Sequence, residues 1–241
     1  MAPLRDLTLA VQFMTRLPTP PVRDFREDDV GRSAPWFPFV GLVVGVTIAV
    51  PAHLLEDRPQ LAAIVVVAVW TWITGALHLD GLGDVADALG ASHRDPSRYA
   101  EVLKDPHVGS FGVVTLIIQL MAKFALVSEL CQHDITWVLV LVPPWARWCG
   151  IAVMRLTPSL QPGLGERFAG HVTLAHVGAW LVALAVASVW VAPTLLVAPL
   201  LVVLASVYWR RAIGGVSGDG LGATIELSET ALLIALVATT F

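Results

Sequence analysis

Seven apolar stretches recur along the chain, near residues 34–55, 61–79, 110–131, 136–154, 173–190, 192–209 and 221–241, with short polar segments between them. Each approaches the ~20 residues that a helix needs to cross ~30 Å of hydrocarbon. Backbone polar groups must be satisfied internally there, so helices are the expected spanning form. Only the Val-Ala-Pro-Thr step around Pro193 parts the fifth stretch from the sixth, which predicts a tight hairpin. Glu226 and Glu229 interrupt the seventh. It is expected either to span or to insert halfway, with both glutamates just inside the membrane on the loop side. Ahead of the first stretch, residues 4 to 17 put Leu4, Leu7, Val11 and Met14 on one helical face, with Arg5, Asp6 and Gln12 off it. Pro18, Pro20 and Pro21 end that pattern, so a short helix on the membrane surface is predicted. The charged stretch from there to Arg32 reads as irregular.

Composition agrees with the pattern. The chain is 56% hydrophobic and only 14% charged, where soluble domains carry about 25% charged residues. The fold class expected is an all-α, polytopic membrane helix bundle of about seven spans, forming one domain over residues 1–241. With the N-terminus inside, 12 of the 15 lysines and arginines fall in inner segments, and only Arg58 falls outside. That asymmetry predicts a cytoplasmic N-terminus in a cell membrane, with the polar loops of interest on the same side. The net charge of −4 and the lack of a basic run argue against a nucleic-acid partner. Cys131 and Cys149 lie in apolar segments and read as buried free thiols, not as a disulfide or zinc site. The N-terminus lacks the short apolar core of a signal peptide.

Scarce charge makes the acids informative. Asp80, Asp84 and Asp87 stand at i, i+4 and i+7, within an arc of about 60° on one helix face. Three carboxylates on one stripe repel each other unless a cation sits among them, and a hard divalent ion such as Mg²⁺ suits oxygen donors. Asp105 follows 18 residues after Asp87 and can fold back as a fourth carboxylate. His78, two residues ahead of the stripe, can bind substrate, act as a base or bond an aspartate. Gly214 to Gly222 form a glycine-rich run whose N–H groups, around Gly218, can cradle phosphate, and Asp219 adds an acid there. Lys123 and Arg147 are cations within spans, suited either to pairing or to binding an anion. Arg155 and Arg167 flank a loop suited to contacting a nucleotide or to plain membrane anchoring.

The run His78-Leu-Asp-Gly-Leu-Gly-Asp-Val-Ala-Asp, with Lys104-Asp-Pro-His-Val-Gly-Ser-Phe-Gly after it, resembles the signature of the cobalamin synthase family, the adenosylcobinamide-GDP ribazoletransferases. Phe13-Met-Thr-Arg-Leu-Pro-Thr-Pro, Trp36-Phe-Pro-Phe-Val-Gly and Ile213-Gly-Gly-Val-Ser-Gly-Asp-Gly-Leu-Gly-Ala with Glu229 extend the likeness along most of the chain. Ser217 stands where threonine is usual, and Ala88 where glycine is common. The resemblance implies transfer from adenosylcobinamide-GDP to α-ribazole or its 5′-phosphate, with release of GMP. It further implies Mg²⁺ held by Asp80, Asp84, Asp87 and Asp105. One of these, or His78, would take the proton of the attacking 5′-hydroxyl or orient the 5′-phosphate. Arg94, Lys104, Arg147, Gly218, Asp219 and Glu229 would bind substrate. A homo-oligomer, or association with other corrinoid-assembly enzymes, is compatible with it. Two rivals stand beside this reading. One is a CDP-alcohol phosphotransferase of lipid synthesis, whose aspartate spacing differs. The other is a cation transporter, which would place its acids near mid-membrane.

Overall fold

A computed structural model describes residues 2–22, 26–92, 98–103, 105, 107–160 and 163–240. Twelve α-helices follow in order among them. The first four are α1 (Ala2–Met14), α2 (Glu27–Ser33), α3 (Phe37–Leu54) and α4 (Pro59–Ile73). Next come α5 (Leu77–Ser92), α6 (Tyr99–Val102), α7 (Ser110–Gln132) and α8 (Val142–Leu156). The last are α9 (Leu164–His171), α10 (Leu174–Val191), α11 (Ala198–Tyr208) and α12 (Gly218–Thr240). The described residues contain no strand, only an isolated bridge between Ser159 and Val216.

Six runs are long and apolar enough to cross a bilayer: Asp29–Leu54, Ser110–Gln132, Thr136–Leu156, Leu174–Val191, Pro193–Ile213 and Gly218–Thr239. The all-α, polytopic membrane bundle expected from the sequence is therefore the fold. In the Thr136–Leu156 run 89% of the most apolar window is buried, against 11% for Leu174–Val191, so α8 is the axis of the bundle and α10 an outer helix. Pro143 and Pro144 sit in the first turn of α8, where a missing N–H costs nothing. Gly41 and Gly45 on α3 face that turn, and a side chain at either would collide with the backbone of Pro144 or Val140. Small residues four apart let the two helices approach closely where lipid offers no hydrophobic drive between them.

Four expectations are corrected. The apolar stretch at 61–79 is not one straight helix: α4 stops at Ile73, and α5 leaves it at 86°. Gly75 and Ala76, both at positive φ, make the corner, and apolar composition is blind to such a turn. The seventh stretch is one continuous helix that starts at Gly218. Glu229 therefore lies 11 residues, about 16 Å, along α12, at the middle of the helix and not at its loop end. The charged stretch before Arg32 contains a helix, α2, because Asp29 is buried and pairs with Arg5 at 2.5 Å and with Arg32. Finally, the buried side of α1 is turned from the expected face: Leu4 is exposed and Leu7 and Val11 are part-buried, while Leu9 and Ala10 are buried beside Met14. Phe13 stacks on Phe37 at 5.8 Å and meets Phe168 edge-on at 5.0 Å.

Candidate active site

The corner between α4 and α5 sets the site. The Arg16 N–H donates to the Ile73 carbonyl at 2.7 Å, which ties the end of α1 to the corner. As α5 starts, His78, Leu79, Gly81, Leu82 and Gly83 are buried while Asp80 faces outward. The first turns of α12 lie across this segment. A methyl group on Gly81 would come within 2.9 Å of the Asp219 carbonyl oxygen, so the crossing exists only because residue 81 has no side chain. Ser217 begins α12 by accepting the Gly220 N–H at 3.0 Å, the use of the hydroxyl that serine keeps at this position. The loop before it is pinned by the Val216 N–H to the Pro158 carbonyl, 2.9 Å, and by the Leu160 N–H to the Val216 carbonyl, 3.0 Å.

This crossing collects acids that are distant in sequence. Asp84 feels the negative charges of Asp80, Asp219 and Asp87, and Asp80 acts on Asp219 in turn. No cation among the described residues pairs with Asp80, Asp84 or Asp219. Asp87 is placed differently. Its carboxylate accepts the Gly109 N–H at 2.7 Å and the Gly112 N–H at 2.9 Å, so it anchors the start of α7, where the helix dipole favours negative charge. Asp105 is exposed and bound to His107, through the backbone N–H at 3.0 Å and with ring Nδ1 at 2.6 Å. Those hydrogen bonds hold its carboxyl below the usual carboxylate range. Arg94 and Lys104 lie outside the described residues.

Among the described residues no three histidine, cysteine or acidic side chains converge as a ready-made metal cage. The donor set nonetheless fits a hard cation: three carboxylates that pair with no cation among the described residues, exposed or part-exposed, on two helices locked together by glycine. Mg²⁺ in particular keeps several waters and substrate oxygens as ligands, so it does not require a closed cage of protein groups.

Beside the acids is a cavity of about 220 Å³ between α1, α3, α5, α8, α9 and α12. Gly218 and Asp219 line it, together with His78 and Asp80. Most of its wall is apolar: Phe13, Met14, Phe37, Met154 and Phe168. None of these five was marked by charge or motif spacing. Phe13, Met14 and Phe37 fell within stretches carrying the family likeness, Met154 and Phe168 did not, and what joins the three phenylalanines is the packing of α1, α3 and α9.

Arg147 and Glu229 stand behind the cavity. Both are fully buried and paired with each other. Lys123 completes the cluster, bonded to Glu229 at 2.5 Å and to Glu226, with its ammonium 4.4 Å from the centre of the Trp70 ring. Gln119 donates to the Glu226 side chain at 3.0 Å. Pairing thus accounts for the cations within the spans. Arg147 reaches the cavity only through His78, whose Nδ1 lies 3.4 Å from its Nη2. Arg155 and Arg167 are exposed on the same end of the bundle.

The comparisons with known proteins bear on the same chain. The family model for cobalamin-5-phosphate synthase matches residues 6–237. The adenosylcobinamide-GDP ribazoletransferase of Thiobacillus denitrificans is 50% identical over 233 residues, covering 96% of this chain and 94% of that protein. Proteins of the same name from Laribacter hongkongensis and Novosphingobium aromaticivorans are 49% and 46% identical, each covering 98% of this chain. No solved structure matches. The match runs through the acids of α5, the start of α12 and the aromatic wall alike, and the chain belongs to the cobalamin-5-phosphate synthase family.

Proposed function

We propose that this protein joins adenosylcobinamide-GDP to α-ribazole, or to its 5′-phosphate, and releases GMP. The observation that carries the reading is the set of acids Asp80, Asp84 and Asp219 at the α5–α12 crossing, which pair with no cation among the described residues and of which Asp80 and Asp219 line a cavity. The names of relatives 46–50% identical along the whole chain support it. In the reaction a ribose hydroxyl of the acceptor attacks the phosphorus that carries cobinamide. The bond from that phosphorus to the bridging oxygen breaks, and GMP leaves with the oxygen. Because an acceptor already phosphorylated at its 5′ position is also a substrate in this reading, the nucleophile is a different ribose hydroxyl.

Phosphoryl transfer of this kind is largely a matter of alignment and charge neutralisation. Asp80, Asp84 and Asp219 are the residues that would hold Mg²⁺, which when bound neutralises charge on the diphosphate. A carboxylate of this group receives the proton of the attacking hydroxyl. Asp87 keeps α5 and α7 in register by capping α7, so the acidic stripe holds a fixed direction. The apolar cavity wall excludes water from the acceptor.

We place this end of the bundle in the cytoplasm and the spans in the cell membrane. In support, the start of α3, the end of α8 and the start of α12 all meet at the cavity, while Arg58 belongs to the loop after the other end of α3. The test is turnover by protein in membranes supplied with adenosylcobinamide-GDP, α-ribazole and Mg²⁺. GMP released one for one with cobalamin is the expected result. Turnover of CDP-alcohol substrates with no corrinoid product would overturn the assignment.

A further inference from the structure

We infer that the cavity between α1, α5, α9 and α12 is the pocket for the aromatic base of the acceptor, and that His78 reads the base as a hydrogen-bond donor. The inference rests on the reaction proposed above. It goes further by assigning one part of one substrate to one cavity, and by giving His78 a role other than that of a base.

Size comes first. Pockets for drug-sized ligands run to roughly 300–1,000 Å³. A cavity of about 220 Å³ is too small for a corrinoid or a whole nucleoside diphosphate, and it suits a single bicyclic ring. The wall chemistry narrows the choice. Phe37, Met14, Met154 and Phe168 are all buried, and Phe13 stacks among them. Rings and thioethers of this kind take a flat apolar heterocycle on its faces and edges.

Polarity then decides between heterocycles. Among the described residues three polar side chains line the cavity, and two of them are the acids Asp80 and Asp219. The third is His78, 4% exposed, whose Nε2 is buried and has no hydrogen-bond partner among the described residues. Arg147 fixes what that atom can do. A guanidinium has donors only, so the Nδ1 of His78 facing Arg147 Nη2 is the acceptor of the contact. The neutral ring then carries its proton on Nε2, which becomes a donor. Glu229 holds Arg147 in place from the far side. The buried end of the cavity therefore offers one donor in an otherwise apolar surface. With Asp80 and Asp219 engaged by Mg²⁺ as proposed above, guanine, with several N–H donors of its own, would find no further side-chain acceptor among the described lining residues. A benzimidazole riboside has one unsubstituted ring nitrogen, an acceptor, and no ring N–H, and it matches.

The experiment uses the full-length protein in lipid nanodiscs and two acceptors, α-ribazole and its analogue with the free ring nitrogen replaced by C–H. A site built to donate to that nitrogen should prefer α-ribazole roughly tenfold or more in kcat/KM. His78→Leu should raise the KM for α-ribazole, abolish the preference, and leave the KM for adenosylcobinamide-GDP within about twofold, as loss of one bond to the acceptor alone requires. His78→Gln, whose amide can place an N–H near the position of Nε2, should keep part of the preference. Independently, ¹⁵N spectra of histidine-labelled protein should show the His78 ring protonated at Nε2 and shifted on adding α-ribazole. Equal use of both acceptors by the wild type, a His78→Leu defect confined to the GDP substrate, or a ring protonated at Nδ1 would each overturn the inference. A wild type that releases no GMP from these substrates would overturn the proposed reaction instead. In that event the ¹⁵N response to α-ribazole would still decide the pocket.

Discussion

The aspartates of α5 look alike in sequence and do different work in the fold. Asp84 is surrounded by the charges of Asp80, Asp87 and Asp219, whereas Asp87 has both carboxylate oxygens occupied by N–H groups at the start of α7. Neutralising them should therefore separate two phenotypes. Asp84→Asn should leave thermal unfolding close to wild type and lower GMP release roughly tenfold or more at limiting Mg²⁺, in line with the loss of a group that supports a metal. Asp87→Ala should lower stability by about 1 kcal/mol, the usual worth of a helix cap, visible as a fall in melting temperature. Identical effects from the two substitutions would contradict the division of labour. Glu229 makes a third case. Arg147 and Lys123 both depend on it within the bundle, so Glu229→Gln leaves Arg147 buried without its counter-charge. The expected cost is about 3–5 kcal/mol, read as loss of monodisperse protein on heating in detergent.

At the scale of elements, α5 and α12 meet through glycine. Gly81 and Gly222 both face the partner helix, but their surroundings differ. A methyl group on Gly81 would press on the Asp219 backbone at 2.9 Å, while one on Gly222 would sit 3.5 Å from the His78 Cα, an ordinary contact. Gly81→Ala should push the helices apart and cut GMP release at least tenfold, while Gly222→Ala should retain most of the activity. A reversed order in the same assay would mean that the acids do not depend on this crossing. The glycine run from Gly214 to Gly222 was legible in the sequence as a phosphate cradle. That α12 crosses α5 on Gly81 was not, because that depends on where α12 begins, and its first turn lies three residues ahead of the apolar stretch.

For the whole molecule, every element at the cavity arrives from one end of the bundle, and the loop carrying Arg58 lies at the other. Cys131 and Cys149 are buried, so labelling of introduced thiols has a low background. Asp57→Cys and Glu166→Cys place thiols at exposed positions on opposite ends. In spheroplasts a membrane-impermeant maleimide should label the first and spare the second. The converse would invert the proposed orientation. The membrane bundle, the acidic stripe and the family are written in the amino-acid order, because hydropathy, helical spacing and motif order are properties of neighbours along the chain. That order also marked Asp219, Arg147, Glu229 and His78 as unusual without saying what each would meet. The corner at Gly75 and Ala76, the partners of Lys123 and Arg147, and the aromatic wall were decided by tertiary structure alone. A turn in an apolar run leaves no change in polarity, and an ion pair between residues 82 apart leaves no local pattern. Both arise only when α5, α8 and α12 are packed together.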